Sequence, residues 1–576
     1  MKKNLFKLIA LYISTISVFL AACSGGHICS FDLQQTEDKY LKLSASCQRQ
    51  AEYYYSCECG KKGTDTFKAG KIKSHEYTQE IASEQYLKKT ADCLSPAIYY
   101  KSCAMCGKKG SDTQFQYGTV KDCEFSEVVE DRYLCMEATT TQPEMYYKSC
   151  VCGKMSVETF TYGEPLKEYT EEEKISYTPV SLTVSLYDAE NSIYGFTCNT
   201  DCAPRRPVLQ LAKGDSLTDY KEYSVSVKEY TTYNKDDSLY TYYVIKTEVP
   251  LDANTSYTYR VYDKYVGTGT QIASLHTKDV NADTFSFVHV ADTQEYPQEF
   301  GKVLKEVVNT ADFLLHTGDV VETSKYEIEW KEMLHSNFEY LSRIPVMTIS
   351  GNHETTYKNG SNEIAKHFNY KLPTQTSTKL GAFYSYKYGN VKFIMLNSND
   401  LNNNKLKSEQ YNWLVNELKN NTAKWTIVSI HNPLYSVGKY GANESLNQIS
   451  LALRNQLHNI FVEYGVDIVL QGHDHAVSRT YPLYQDGVPQ VEESQVLNGV
   501  EYSVNPKGVI YLMNGTAGGQ TRLPYSVDNT LYKYAEGSNT SSWAHFEVSE
   551  NEIKVSINYL ASGNIYTYHT WGIKKA

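Results

Sequence analysis

A chain of 576 residues is too long for one hydrophobic core, so three or four domains are expected. Hydrophobic residues make up 41% and charged residues 21%, so most of the chain can fold as ordinary globular protein, and the 51 tyrosines suit β-rich surfaces. The net charge of −11 argues against a nucleic-acid scaffold, which needs a basic face. A small anionic substrate stays compatible, because bound metal ions reverse the local field.

At the N-terminus, Lys2, Lys3 and Lys7 flank an apolar run from Leu8 to Leu20 that is short for a membrane span. It ends in Leu20-Ala21-Ala22-Cys23, the charged, apolar and small-residue order of a secretory signal. With Cys next, the segment resembles a bacterial lipoprotein signal. The resemblance implies a signal peptide over 1–22, lipidation of Cys23 and a membrane-anchored place outside the cytoplasm. A plain signal peptide with a chance cysteine is the alternative. No later stretch is apolar and long enough to span a bilayer.

Residues 23–165 repeat themselves. Tyr53-Tyr54-Tyr55-Ser56-Cys57-Glu58-Cys59-Gly60 returns around Cys103 and Cys106, and again around Cys150 and Cys152. The steps are 46 and 47 residues, which signals small stacked modules. Grouped in chain order, the soft ligands are Cys29, Cys47, Cys57 and Cys59; His75, Cys93, Cys103 and Cys106; and Cys123, Cys135, Cys150 and Cys152. Outside the cell cysteines usually pair as disulfides. Yet eleven is an odd number, and His75 stands 18 residues before Cys93 as Cys29 does before Cys47. Histidine replaces cysteine at zinc but not in a disulfide, so structural zinc on His75, Cys93, Cys103 and Cys106 competes with disulfides plus one free thiol. The role of the modules is open, with spacer or surface-binding function the plain expectation.

Residues 172–278 change to short alternating strands, such as Ser181 to Leu186 and Ser256 to Tyr262, which predicts an all-β sandwich. Cys198 and Cys202 are near enough in sequence to suggest a local disulfide. From 283 to 572 apolar strands alternate with helical patterns. Phe300, Val303, Leu304 and Val307 mark one helix, Trp330, Met333 and Leu334 a second, Leu414 and Leu418 a third, Leu453, Leu457 and Phe461 a fourth. That alternation predicts an α/β layered domain.

Polar groups follow the strands of this domain: Asp292, Asp319, Asn352 with His353, His431, and His473 with His475. Strand exits in such sheets converge on one rim. Two carboxylates, an amide and three imidazoles suit a pair of iron, zinc or manganese ions, and Asp319 has two oxygens with which to bridge them. A cation pair of this kind acidifies a bound water and clamps phosphoryl oxygens.

Asp292-Thr293-Gln294, Gly318-Asp319, Gly351-Asn352-His353-Glu354, His431 and Gly472-His473-Asp474-His475 resemble the five ordered blocks of calcineurin-like metallophosphoesterases, closest to the purple acid phosphatase branch. The resemblance implies a β-sandwich core flanked by helices, preceded by a fibronectin-like domain. It also implies one metal on Asp292, Asp319 and His475, a second on Asp319, Asn352, His431 and His473, and a substrate-facing His353 as general acid. Two departures bear on metal identity. Gln294 stands where the family has His, and Glu322 where the purple enzymes have Tyr. Both are candidate extra oxygen ligands, and no purple colour is expected. Glu354 is read as orienting its loop, and His289 and His316 as packed or hydrogen-bonded. The function this implies is acid-phosphatase-like hydrolysis of a small phosphate ester. A phosphodiesterase or nucleotide hydrolase on the same site, and a non-catalytic surface adhesion or scaffold protein, are the alternatives.

Overall fold

The computed structural model describes residues 28–355, 363–373, 383–443, 445–490, 493–537 and 540–575. The signal-like segment and Cys23 lie outside them. The chain divides into two compact units, Met1–Pro165 and Leu166–Ala576. Among the described residues no helix is long and apolar enough to cross a membrane.

In the first unit each repeat is a small antiparallel sheet. Leu41–Leu43, Ala51–Ser56 and Lys62–Ala69 form the first, Leu87–Lys89, Ala97–Cys103 and Lys109–Tyr117 with Tyr77–Gln79 the second, and Leu134–Met136, Glu144–Ser149 and Met155–Tyr162 the third. Sheets this small bury little apolar surface. Tyr40, Tyr86 and Tyr133 are buried at equivalent places in the three repeats, and the first two cap the turn that follows the cysteine strand, Tyr86 donating to the Gly107 carbonyl at 2.7 Å.

The thiols of the repeats do not group in chain order. Cys93 is not with His75. Its sulfur lies 3.0 Å from Cys150 in the next repeat, and Cys47 takes its place, 3.6 Å from Cys103. Cys135 is exposed and joins no such group among the described residues. The reason is geometric. The second thiol of each of the first two repeats follows a short strand on the side facing the next repeat, a placement that spacing along the chain does not reveal.

The second unit opens on helix Glu171–Tyr177, begun by a capping box in which Thr170 and Glu173 satisfy each other's backbone. A four-stranded sheet follows, with order Val180–Asp188, Ile193–Thr200, Leu239–Pro250, Ser226–Tyr233. A second sheet holds Lys221–Ser224, Pro207–Lys213, Ser256–Asp263, Thr268–Gly269 and Ala273–His276. Their facing side chains meet in one core, with Phe196 against Tyr259 at 5.0 Å. Cys198 points into that core and Cys202 lies in the following turn, so both are free thiols and the expected local disulfide is absent.

The larger domain runs β1 (Phe285–Val290), α1 (Pro297–Val307), β2 (Phe313–His316), α2 (Glu327–Ser336), β3 (Val346–Thr348), β4 (Tyr384–Tyr388), β5 (Val391–Met395), α3 (Ser408–Lys419), β6 (Trp425–Ile430), α4 (Gln448–Glu463) and β7 (Ile468–Gln471). It continues with β8 (Val477–Thr480), β9 (Ser494–Leu497), β10 (Val500–Val504), β11 (Ile510–Asn514), β12 (Tyr532–Glu536), β13 (Ser542–Val548), β14 (Glu552–Ala561) and β15 (Asn564–Lys574). One sheet has the order β3-β2-β1-β13-β14-β15-β10-β9, the other β4-β5-β6-β7-β11-β8-β12. They pack face to face. Phe287 of β1 stacks on Phe546 of β13 at 4.3 Å and meets Phe393 of β5 edge-on across the sheets at 5.3 Å.

Alternation along a strand explains the layering. On β5, Phe393 and Met395 join the core between the sheets, while Ile394 packs outward with Leu414 of α3 and Leu453 of α4. Helices α1 and α2 cover the other sheet with Phe300, Val303, Leu304 and Trp330. Strands β1, β2 and β3 are parallel, as are β5, β6, β7 and β11. Their carboxyl ends therefore open on one rim of the sandwich.

Candidate metal centre

Three of the five polar strand exits reach that rim through a left-handed backbone turn. Asp292, Asp319, His473 and His475 all hold positive φ, at 55°, 57°, 74° and 54°. Few L-residues adopt this region, and its clustering marks strain held in place by the surroundings. Glycine is required beside them where strands come closest. A Cβ on Gly351 would lie 2.0 Å from Asp319 Oδ1.

The donors fall into two adjoining groups. His475 Nε2 lies 3.4 Å from Asp292 Oδ1. His431 Nε2 lies 3.2 Å from Asp319 Oδ2 and 3.0 Å from Asn352 Oδ1, and Asp319, His431 and His473 offer ligand atoms within 4.8 Å of one another. The six proposed ligands are thus brought together at one rim.

The remaining bonds of these groups fit a metal. His431 Nδ1–H donates to the Thr317 carbonyl at 2.8 Å, and His475 Nδ1–H donates to the Gln520 carbonyl. Both rings are thereby oriented with Nε2 free to ligate, the arrangement that metal-binding histidines show. Asp292 accepts the His473 backbone N–H at 3.0 Å, and Asp319 accepts that of His353 at 2.9 Å. The donor set is one of hard-to-borderline nitrogen and oxygen atoms, as zinc, manganese or iron require.

Charge inside the site is strongly coupled. Burial opposes ionisation of Asp319, but His431, His353 and His473 outweigh it and hold the carboxyl below the usual carboxylate range. Burial also pulls His431 down, and Asp319 with Asp292 overcomes that and raises it to about 9. His473 goes the other way, pushed down to about 4 by burial and by His431 beside it. The carboxylates thus hold charge that a bound cation neutralises.

His353 lies at the edge of the donor cluster. Its Nδ1–H donates to the Glu322 carbonyl at 2.7 Å, and its Nε2 is 3.8 Å from Asp319. Burial disfavours its protonation, but Asp319 and the Glu322 carbonyl raise its pKa. The Glu322 carboxylate sits 3.5 Å from the same ring, outside the cluster of metal donors. Gln294 Oε1 lies against Gly519, whose Cβ position it approaches to 2.7 Å.

Glu354 orients its loop, accepting the backbone N–H groups of Asp319 at 2.9 Å, Val320 at 2.8 Å and Gly351 at 2.7 Å. His289 bonds Thr317 at 2.9 Å and His316 bonds Thr293 at 3.1 Å, so both are structural. Tyr435 is buried against Tyr511 and His458. Two contributors, Tyr440 and Arg522, carry no sequence pattern, and Asp474 of the Gly472-His473-Asp474-His475 block positions the first. Asp474 accepts Ser436 Oγ at 2.6 Å and the Tyr440 and Gly441 backbones at 2.8 Å, which brings the Tyr440 ring to 4.8 Å from His473. Arg522 sits over Tyr440 at 5.6 Å. Only the glycine pair Gly518-Gly519, where the Gly519 N–H donates to the Asp292 carbonyl, hinted that this loop closes on the site.

Comparison with known proteins agrees with this geometry. Residues 285–477 match the family model described as calcineurin-like phosphoesterase. The chain is 29% identical over 202 residues to acid phosphatase type 7 of Homo sapiens, covering 32% of this chain and 42% of that protein. It is 28% identical over 255 residues to acid phosphatase type 7 of Danio rerio, covering 39% and 53%. The chain thus spans about half the length of these relatives, and an Arabidopsis thaliana protein named "Probable inactive purple acid phosphatase 1" matches as well. The solved structure of purple acid phosphatase PPD1 from yellow lupin (Lupinus luteus) seeds has a TM-score of 0.57 at 15% identity, covering 75% of this chain and 80% of that one, a likeness of fold. The strand exits, the rim and these matches together identify residues 285–477 as a calcineurin-like phosphoesterase domain.

Proposed function

We propose that the chain hydrolyses small phosphate esters at a pair of cations of the iron, zinc or manganese class, one on Asp292, Asp319 and His475, the other on Asp319, Asn352, His431 and His473. The observation that carries this is the convergence of the six side chains, with the His431 and His475 Nδ1 atoms tied to carbonyls. When bound, such a pair supplies Lewis-acid charge that acidifies a water and polarises phosphoryl oxygens. The chain's own groups do the rest. Thr317 and Gln520 hold the imidazoles in one tautomer, Glu354 fixes the Asp319 and Gly351 backbones, and His353 carries a proton on Nε2 for the departing alcohol. The signal-like segment ending at Cys23 supports a lipid-anchored location outside the cytoplasm, and the two-sheet domain over 172–278 is proposed as fibronectin-like.

Arg522 favours monoesters over diesters within this proposal. It places a cation over the Tyr440 ring, which itself lies 4.8 Å from His473, and near His475, where the second negative charge of a monoester gains most. The experiment is metal analysis of the purified chain with aryl phosphate hydrolysis. The wild type should retain two rim-bound cations and be active. Asp319→Ala or His473→Ala should lose activity by roughly three orders of magnitude while staying folded. Full activity in either variant would remove the assignment.

A further inference from the structure

The repeats hold a second kind of candidate metal site, independent of the rim. Cys47, His75, Cys103 and Cys106 bring four ligand atoms within 4.8 Å of one another, and so do Cys93, Cys123, Cys150 and Cys152. In each set three donors come from one repeat and the fourth from the repeat before it. Cys47 and Cys93 each stand seven residues after the buried tyrosine of their own repeat, Tyr40 and Tyr86, and reach forward. At the same step after Tyr133 the third repeat has Thr140, so the forward reach ends there.

The geometry fits a tetrahedral cation better than disulfides. Cys47 and Cys103 sulfurs are 3.6 Å apart, Cys123 and Cys152 3.5 Å, and Cys106 lies 3.4 Å from His75 Nδ1. A zinc–sulfur bond of about 2.3 Å sets tetrahedral edges of roughly 3.8 Å, against about 2.05 Å for a disulfide. The closest pair, Cys93 and Cys150 at 3.0 Å, also exceeds bonding distance. One turn recurs under each pair of strand-end thiols. Cys103 N–H donates to the Lys108 carbonyl and Gly107 N–H to the Cys103 carbonyl, and Cys150 N–H and Gly153 N–H do the same with Lys154 and Cys150. Gly107 and Gly153 hold φ of 71° and 86°, which turns both thiols of each pair to one side.

We propose that two zinc-class cations rivet the array, one across each repeat boundary, on Cys47, His75, Cys103 and Cys106 and on Cys93, Cys123, Cys150 and Cys152. The cations act between modules, so three sheets too small to be stable alone fold as one. Cys29, Cys57 and Cys59 form a set of three among the described residues and bind more weakly.

Cobalt(II) tests this in the full chain, read by thiolate-to-metal charge-transfer absorbance against a competing chelator, so that only four-donor sites fill. The oxygen- and nitrogen-lined rim gives no such band. His75→Ala, Cys47→Ser and the double variant should each lose one equivalent, because both residues serve one cation. His75→Ala with Cys93→Ser should lose two, and Cys135→Ser none. His75→Cys should keep the full count with a stronger band, which separates ligand loss from misfolding. Loss of two equivalents in the His75/Cys47 pair and one in the His75/Cys93 pair overturns the sharing across boundaries. Absence of the band, with Cys47–Cys103 and Cys93–Cys150 disulfides in non-reducing peptide maps, overturns the metal.

Discussion

His353 illustrates how one backbone bond sets a side chain's chemistry. Its Nδ1–H is committed to the Glu322 carbonyl, so a second proton can reside only on Nε2, the atom on the Asp319 side of the ring. A group so held assists a poor leaving group more than an activated one. His353→Ala should lower kcat by roughly 10²–10³ for an alkyl phosphate and far less for p-nitrophenyl phosphate; equal losses on the two substrates would remove the acid role. For Arg522 the expectation concerns binding. Arg522→Ala should raise KM for an aryl monoester about tenfold and leave that of a bis-aryl diester nearly unchanged, as steady-state kinetics on both would show. The donors and His353 were legible in the sequence because glycine-rich strand exits advertise them. Arg522 and Tyr440 were not, because they act through loops closed by tertiary contacts. Of the two oxygen candidates, Gln294 lies over Gly519 and Glu322 flanks His353.

Among elements, the four longer helices of the larger domain were readable from apolar spacing, and their buried faces are the expected ones, whereas the one-turn helices Phe338–Leu341, Ile364–His367 and Lys439–Ala442 are too short to show a period. The strands after β7 were not. β13 inserts beside β1 although some 250 residues separate them, a pairing no local pattern encodes. Strand Leu239–Pro250 carries a further consequence. Lys246 donates to the Ala365 and Phe368 carbonyls, and burial lowers it to about 8 from 10.5. Between those values the unfolded chain holds a proton that the folded chain has shed, so stability rises with pH across about 8 to 10.5. Urea melts should show that rise, at most about 3 kcal/mol, and Lys246→Met should flatten it. An unchanged slope in the variant would place the titration elsewhere.

Across the whole second unit, the sandwich and the larger domain share one apolar core. Leu182, Tyr259 and Val261 pack in the same cluster as Phe287, Phe313 and Trp330, and Tyr259 O–H donates to the Ser342 carbonyl at 2.5 Å. The change of pattern near residue 280 gave no sign of a core continuous across it. The unit should therefore open in one cooperative step. Amides of Ile193–Thr200 and Phe285–Val290 should exchange with the same global free energy, and Tyr259→Phe should lower both together by about 1–3 kcal/mol. Earlier exchange of the sandwich alone would separate the two.

The left-handed backbone at Asp292, Asp319, His473 and His475 has an evolutionary corollary. Each such residue costs on the order of 1 kcal/mol that glycine would not, a cost that the proposed cations would offset at this rim. A lineage that stopped needing hydrolysis would find the first steps of decay downhill, since trading these donors for glycine relaxes the loops.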